Sequence, residues 1–162
     1  MKLSEHLELA EFIRSSTAKR LGISNTPTDE HLKNAKLWAE NIFEPIRLHF
    51  RRPIFLSSGY RSKALNDATP GSSSTSQHST GEAGDIDQDG TEISNAEVFY
   101  FVLDKLDFDQ LIWEYGNDAN PDWVHISYET SGKPQRKQVL KCSRVNGKPK
   151  YSQFIDKRKV NG

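Results

Sequence analysis

The chain of 162 residues has one cysteine and no long apolar run. Cys142 alone cannot form an intrachain disulfide or a thiolate metal site, so nothing in the sequence indicates an oxidising compartment. The longest apolar stretches, such as Val98 to Leu103, are far shorter than the roughly 20 residues that a bilayer span requires. The first residues, MKLSEHLELAEF, carry glutamates where a secretory signal has its apolar core. We therefore expect no membrane span, no signal peptide and synthesis in a cytoplasm.

The chain also lacks net charge, because 22 Lys and Arg residues balance 22 Asp and Glu residues. The balance is uneven, since residues 131–162 contain ten basic residues and a single acidic one, Asp156. A basic segment can attract nucleic acid or an anionic cell-wall polymer, but most such runs are solvated surface lysines. The acidic remainder of the chain argues against a DNA-binding protein, so we expect no nucleic-acid partner.

Hydrophobic residues are scarce, at 35% of the chain. Eight Phe, five Tyr and three Trp nevertheless supply the bulky side chains that one compact core needs. The length is that of one ordinary domain. We expect residues 1–162 to form a single domain that includes the basic segment 131–162, with a flexible end, and to act as a monomer.

The order of predicted elements indicates an α+β fold. A first helix is predicted over 9–21, ended by Gly22, and a second opens at NTPTDEH, with Thr26 as cap, Pro27 at the first position and a bend near Pro45. A short helix over 63–67 and one over 94–106, capped by Ser94, follow. Strands are predicted over 54–60, 84–88, 108–114, 123–129 and 138–145. This order predicts N-terminal helices packed on a small, mostly antiparallel sheet.

Two segments carry the chemistry. The loop SQHSTGEAGD contributes His78 and Asp85, and the apolar run WVHIS contributes His125. Two imidazoles and one carboxylate suit a catalytic zinc that keeps one coordination position open for water. His125 interrupts an apolar strand, where a histidine needs a partner. The other histidines fall on helical stretches, where an exposed surface role is expected: His6, His31 and His49.

A calcium loop is the competing metal hypothesis, because DIDQDG begins at Asp85 like a helix-loop-helix site. Such a loop needs a bidentate Glu at its twelfth position and a helix before it. The twelfth position holds Ala96, and no entering helix is apparent. The sequence therefore disfavours calcium.

A hydrolytic site also needs a base that takes a proton from the attacking water. If the strands over 108–114 and 123–129 form a hairpin, Glu114 lies opposite Trp123 and diagonal to His125 on the same face. Glu114 is the predicted base, with Asp122 as its rival. Arg61 could bind a substrate carboxylate or the developing oxyanion, or be an exposed residue at a helix start. Four aromatic residues could line a peptide groove or belong to the core: Tyr60, Trp113, Tyr115 and Trp123.

The chain resembles the zinc D-alanyl-D-alanine peptidases that share the hedgehog-like DD-peptidase fold. The family motif S-x-H-x-x-G-x-A-x-D is matched at Ser76, His78, Gly81, Ala83 and Asp85, and a W-x-H element follows at Trp123 and His125. The SGYRS stretch and the LSEH…EF opening are similar to a branch often encoded by phages. The resemblance spans most of residues 3 to 150.

The resemblance implies one zinc ion held by His78, Asp85 and His125, and hydrolysis of amide bonds involving D-amino acids in bacterial peptidoglycan. Many members place a Glu where this chain has Asp122, so the resemblance leaves open whether Glu114 or Asp122 is the base. Arg61 matches the position that members use for the substrate's carboxylate or carbonyl. Carboxypeptidase and endopeptidase action both stay open. The alternative function is a non-catalytic, zinc-stabilised cell-wall-binding or phage structural module.

Overall fold

Six strands and the helices around them make up the described chain, residues 1–160 of a computed structural model. The helices are α1 (Leu9–Ile13), α2 (Ser16–Leu21), α3 (Asp29–Trp38), α4 (Glu44–Phe50), α5 (Lys63–Asp67), α6 (Asn95–Lys105) and α7 (Lys157–Val160). The strands are β1 (Leu56–Ser58), β2 (Ala83–Ile86), β3 (Gln110–Glu114), β4 (Trp123–Ser127), β5 (Gln138–Val145) and β6 (Lys148–Gln153). The flexible end expected from the sequence falls partly on residues 161 and 162, which lie outside the described residues.

The first predicted helix is in fact two short helices. The backbone of Arg14 is extended, with ψ of 130°, and ends α1. Ser15 then starts α2, because its side chain accepts a hydrogen bond from the Ala18 amide. Gly22 ends α2 in the left-handed conformation, as predicted. The prediction of one helix over 9–21 was wrong because it did not give Ser15 its capping role.

The second predicted helix begins two residues later than expected. Thr28, rather than Thr26, is the cap, and its hydroxyl accepts a hydrogen bond from the His31 amide. After α3 the chain makes one wide π turn at Ala39–Phe43 and continues as α4. Pro45 lies at the start of α4, where its missing amide proton leaves a gap in the helical hydrogen bonds. The irregularity expected near Pro45 is therefore this wide turn.

The strands form one sheet in the order β1-β2-β4-β3-β5-β6. Every neighbouring pair is antiparallel except β3 and β5, which run parallel. The α+β prediction of helices on a mostly antiparallel sheet is confirmed. The last strand, β6, was not predicted, and it follows a tight turn at Asn146 and Gly147, both at positive φ.

The two faces of the sheet differ in character. Alternate residues of β3 and β4, such as Trp113 and Ile126, are buried against the helices. The indole nitrogen of Trp38 in α3 donates a hydrogen bond to the Ile126 carbonyl, and the Phe99 ring in α6 lies 5.1 Å from the Trp113 ring. The residues that alternate with Trp113 and Ile126 along these two strands, including Glu114 and His125, point to the opposite face of the sheet, where the candidate site lies. Within the described residues, no helix is long and apolar enough to cross a membrane.

Candidate metal centre

A cleft of about 620 Å³ lies on the polar face of the sheet. Its floor is formed by side chains at alternate positions of β3, β4 and β5, and the serine-rich loop before β2 forms part of its border. The lining includes five of the six site residues predicted from the sequence: Arg61, His78, Asp85, Glu114 and His125. The sixth, Asp122, is exposed in the loop before β4 and is outside this lining.

His78 is held by a short 3-10 turn, Gln77–Thr80. The Ser76 hydroxyl caps this turn, and Gly81 ends it at φ of 79°. A Cβ atom at Gly81 would collide with the His31 carbonyl oxygen, so only glycine allows this close approach of the loop to α3. Nδ1 of His78 lies 2.6 Å from the Gly59 carbonyl oxygen, and Nε2 is directed towards Asp85.

Asp85 and His125 are direct neighbours across the β2–β4 ladder. The carboxylate atom Oδ1 of Asp85 lies 3.0 Å from Nδ1 of His125 and 3.2 Å from Nε2 of His78. One donor atom from each of the three residues lies within 4.8 Å of the others. Gly84 lets β2 lie close to α3, because a Cβ atom at this position would lie only 2.5 Å from the Trp38 ring.

The donor set fits a metal cation. A carbonyl oxygen only accepts hydrogen bonds, so Nδ1 of His78 carries the ring proton. Burial lowers the pKa of His78 and keeps the ring neutral, which leaves a lone pair on Nε2. That atom is buried and has no hydrogen-bond partner among the described residues, yet it faces the Asp85 carboxylate. Two lone pairs that face each other repel, and a cation between them would remove the repulsion.

The charge of Asp85 is favoured by its surroundings. Burial alone would raise its pKa, but a positive charge on His78 and the hydrogen bond from His125 outweigh burial and hold the pKa of Asp85 well below its usual range. A metal cation in place of the His78 proton would act in the same direction. The site therefore offers a carboxylate and two imidazoles, which are the oxygen and nitrogen ligands that zinc takes in catalytic sites.

Glu114 lies where the predicted hairpin register places it. It pairs with Trp123 across the β3–β4 ladder, so it is diagonal to His125 on the same face, and the predicted register is confirmed. Its side chain is buried, with 7% of the residue exposed. Burial and then the charge of Asp85 raise the pKa of Glu114 to about 7. A carboxyl group with this pKa can both take and return a proton near neutral pH.

Asp122 and Arg61 occupy different surroundings. The Asp122 amide donates a hydrogen bond to the Glu114 carbonyl, but its side chain is exposed to solvent. Arg61 follows β1, and its amide donates to the His78 carbonyl, which fixes it beside the site. Its buried Nε has no hydrogen-bond partner among the described residues. Burial lowers the pKa of Arg61, while the charges of Asp85 and Glu114 oppose that effect.

The remaining histidines lie away from the cleft lining. The expectation of exposed surface positions was wrong for His6 and His31, which are half-buried and hydrogen-bonded to Glu44 and to the Tyr60 hydroxyl. His49 is exposed and stacks on Phe101, 4.1 Å between ring centres. These partners lie far away in the sequence, so helix position alone could not reveal them.

The calcium alternative is disfavoured by the structure as well. The segment that contains Asp85 is strand β2, and among the described residues it is preceded by a short 3-10 turn and not by an α-helix. Asp87 instead accepts hydrogen bonds from the Asp89 amide and the Asn95 side chain. Of the aromatic residues considered for a peptide groove, Tyr115 and Trp123 line the cleft, while Tyr60 and Trp113 belong to the core.

One ion pair near the site, between a buried carboxylate and an exposed arginine, was not foreseen. Asp109, directly before β3, is only 2% exposed and accepts hydrogen bonds from the guanidinium and amide of Arg136. It also accepts one from Gln77, the residue before His78. These hydrogen bonds connect the loop that carries His78 to the segment before β5. A single sequence carries no signal for it, because the three residues come from three distant segments.

Comparison with known proteins identifies the family of this chain. The sequence profile described as peptidase M15 matches residues 5–127. A search of curated proteins gives no significant match. The matched range covers most of the chain and includes all three metal-donor residues as well as Arg61 and Glu114. The chain therefore belongs to the peptidase M15 family.

Proposed function

We propose that this protein is a zinc peptidase that hydrolyses amide bonds involving D-amino acids in the stem peptides or cross-links of bacterial peptidoglycan. The observation that carries the proposal is the convergence of His78, Asp85 and His125 in one cleft, with the carboxyl group of Glu114 diagonal to His125. The family is zinc-dependent in general, which agrees with this donor set. We further propose that residues 1–162 act as one domain and as a monomer, since β5 and β6 continue the sheet that carries the site.

Zinc would be held by Nε2 of His78, Nδ1 of His125 and the carboxylate of Asp85. When bound, the ion would polarise the scissile carbonyl group and make water a stronger acid. The protein supplies the orientation of the donors: the Gly59 carbonyl fixes the His78 ring, and the sheet register fixes Asp85 beside His125.

Glu114 would act first as a base and then as an acid. Its carboxylate takes a proton from the attacking water, and the same group returns the proton to the departing amine. Burial, the largest cause of the raised pKa of Glu114, does not depend on the metal, and a raised pKa makes the carboxylate a stronger base for the first step. Burial of Glu114 beside His125 also keeps the carboxyl group close to the metal donors.

Arg61 would bind the carboxylate of the substrate or the negative charge that develops on the scissile carbonyl oxygen. It lines the cleft with the metal donors, and its Nε has no protein hydrogen-bond partner among the described residues. A guanidinium group can donate two parallel hydrogen bonds to a carboxylate. Asp122 is the less favoured base, because its exposed side chain is outside the cleft lining while Glu114 is within it.

The test is mass spectrometry of peptidoglycan digests. Purified walls of several stem-peptide types are incubated with zinc-loaded protein, with chelated protein and with the zinc-loaded Glu114→Gln variant. New amine ends that require zinc and Glu114 are the expected result, and their position identifies the bond. Absence of new ends on every wall type, with zinc shown to be bound, would overturn the proposal. The non-catalytic wall-binding module would then be the better account.

A further inference from the structure

Three arginine side chains line the cleft, and they differ in whether a carboxylate of the protein neutralises their charge. Arg136 is paired with the buried carboxylate of Asp109 through its Nε and Nη2 atoms. Arg61 is the proposed anion-binding group beside the metal donors. Arg144 lines the same cleft, is exposed, and has no carboxylate within 4.0 Å among the described residues. Its positive charge is therefore not neutralised by the protein.

Arg144 is nevertheless held in place. Its guanidinium carbon lies 4.6 Å from the centre of the Tyr115 ring, a cation–π contact. The Tyr115 ring also packs against Trp123, at 5.2 Å between ring centres. Trp123, Tyr115 and Arg144 all line the cleft beside Glu114. A guanidinium group that rests on an aromatic ring can still donate hydrogen bonds from its edge.

The backbone of Tyr115 is in an unusual conformation that supports this arrangement. Its φ is 55°, in the left-handed region that a bulky residue rarely adopts. The Tyr115 amide donates a 2.8 Å hydrogen bond to the Cys142 carbonyl in β5, which holds the residue there. Such strained residues concentrate at binding and catalytic sites, because the strain persists only where the surroundings enforce it.

The strand order separates this arginine from the metal donors. Asp85 is on β2 and Arg144 is on β5, with β4 and β3 between them. Three strand spacings correspond to roughly 14 Å across the sheet. Leu140 is the residue of β5 that is level with Asp85, and Arg144 lies four residues further along, which adds roughly 13 Å along the strand. The backbones are therefore roughly 19 Å apart, a distance that an extended peptide covers with about six residues. A group bound by Arg144 therefore belongs to a part of the substrate that is remote from the scissile bond.

We propose that Arg144, supported by Tyr115, binds a second carboxylate of the peptide substrate, several residues away from the bond that is cut. This specificity contact rests on the proposed peptidase function and narrows its substrates to peptides that carry a free acidic group at that distance. An amidated peptide would lose the contact, because a carboxamide has no charge and accepts only through one oxygen.

The test measures binding with matched peptides. Two synthetic stem peptides differ only in whether one remote group is a carboxylate or a carboxamide, and the position of that group is varied along the peptide. Isothermal titration uses zinc-loaded protein with Glu114→Gln as background, so that no peptide is consumed. At one position we expect about tenfold tighter binding of the acid than of the amide. The preference should shrink at high salt, because Arg144 is exposed.

Two variants assign the preference to Arg144. Arg144→Gln should bring the ratio of acid to amide affinity to about one. Lys150→Gln is the matched control, since it removes the same charge from the β5–β6 hairpin while its register partner Ser143 places it on the opposite face from Arg144. Lys150→Gln should keep the ratio. Equal affinity for acid and amide at every position, or the same loss in both variants, would overturn the inference.

A cleavage assay on the same peptides distinguishes failure of the carboxylate site from failure of the proposed peptidase function. If the protein binds the acidic peptide through Arg144 but cuts no wall peptide, the peptidase proposal fails and the carboxylate site stands. If it cuts acid and amide peptides at equal rates and binds them equally, the peptidase proposal stands and the role of Arg144 is refuted.

Discussion

Glu114→Gln should make the metal-free protein more stable at high pH while it abolishes catalysis. Glu114 is 7% exposed and lies near the Asp85 carboxylate, which is also buried. Above neutral pH, and without a metal, the two buried negative charges repel each other. Glutamine has nearly the same shape as glutamate and carries no charge, so it removes this repulsion and keeps the packing.

The magnitude follows from the pKa of Glu114, which burial and Asp85 raise from 4.5 to about 7. The folded protein holds this proton more tightly than the unfolded chain does. The stabilisation by Glu114 is thus complete below pH 4.5 and is lost as the pH rises through about 7. The pKa difference corresponds to about 3 kcal/mol. At pH 8.5 the variant should be more stable than the wild type by about that amount, and at pH 4.5 the two should be nearly equal.

Urea unfolding in the presence of a chelator, at both pH values, measures this difference directly. For a chain of this size, about 3 kcal/mol corresponds to a rise in Tm of roughly 10 °C at the higher pH. Asp122→Asn is the matched control, because it removes an exposed carboxylate from the same hairpin and should change stability little at either pH. Equal stability of wild type and Glu114→Gln at pH 8.5, or the same difference at both pH values, would refute the electrostatic reasoning.

Three further substitutions test the centre and its supports. His125→Ala removes one donor and should abolish both zinc retention, measured as bound metal per chain, and peptide cleavage; full zinc occupancy in this variant would contradict the assignment. Asp109→Asn weakens the ion pair between the buried Asp109 carboxylate and the exposed Arg136, and it should lower the free energy of unfolding by about 2 kcal/mol, measured in urea. Gly84→Ala places a Cβ atom 2.5 Å from the Trp38 ring and should cost about 1–3 kcal/mol, so an unchanged urea midpoint would speak against that packing.

Local sequence signals predicted much of the fold and the centre. The hairpin register followed from alternation in β3 and β4 and from the polar loop between them, and it placed Glu114 diagonal to His125 as observed. The spacing of His78 and Asp85 was informative because small residues between them allow a tight turn into β2. Ser94 caps α6 as expected, and the Glu97 carboxylate accepts the reciprocal hydrogen bond from the Ser94 amide.

The features that were missed depend on contacts between distant segments. The parallel pairing of β3 with β5 decides which residues of the basic segment face the cleft, and no local pattern encodes that pairing. Arg144 and Arg136 therefore could not be separated from the other basic residues of this segment by sequence alone. The break between α1 and α2 was missed for a different reason, since Ser15 can cap a helix or lie within one, and only packing decides between them.

The alternation of side chains between the two faces of the sheet also explains why the site lowers the stability of the metal-free protein. The residues of β3 that face the helices, such as Trp113, are apolar and stabilise the fold, while the next position, Glu114, places a carboxyl group on the opposite face. Asp85 and Glu114 are both buried there, and the lone pair of His78 faces the Asp85 carboxylate. A dication held by Asp85 would also neutralise the repulsion that the charged Glu114 meets there, so metal binding would restore the stability that Glu114 removes from the metal-free protein above neutral pH. The fold thus gives up stability at this face in exchange for a site that is complementary to a cation.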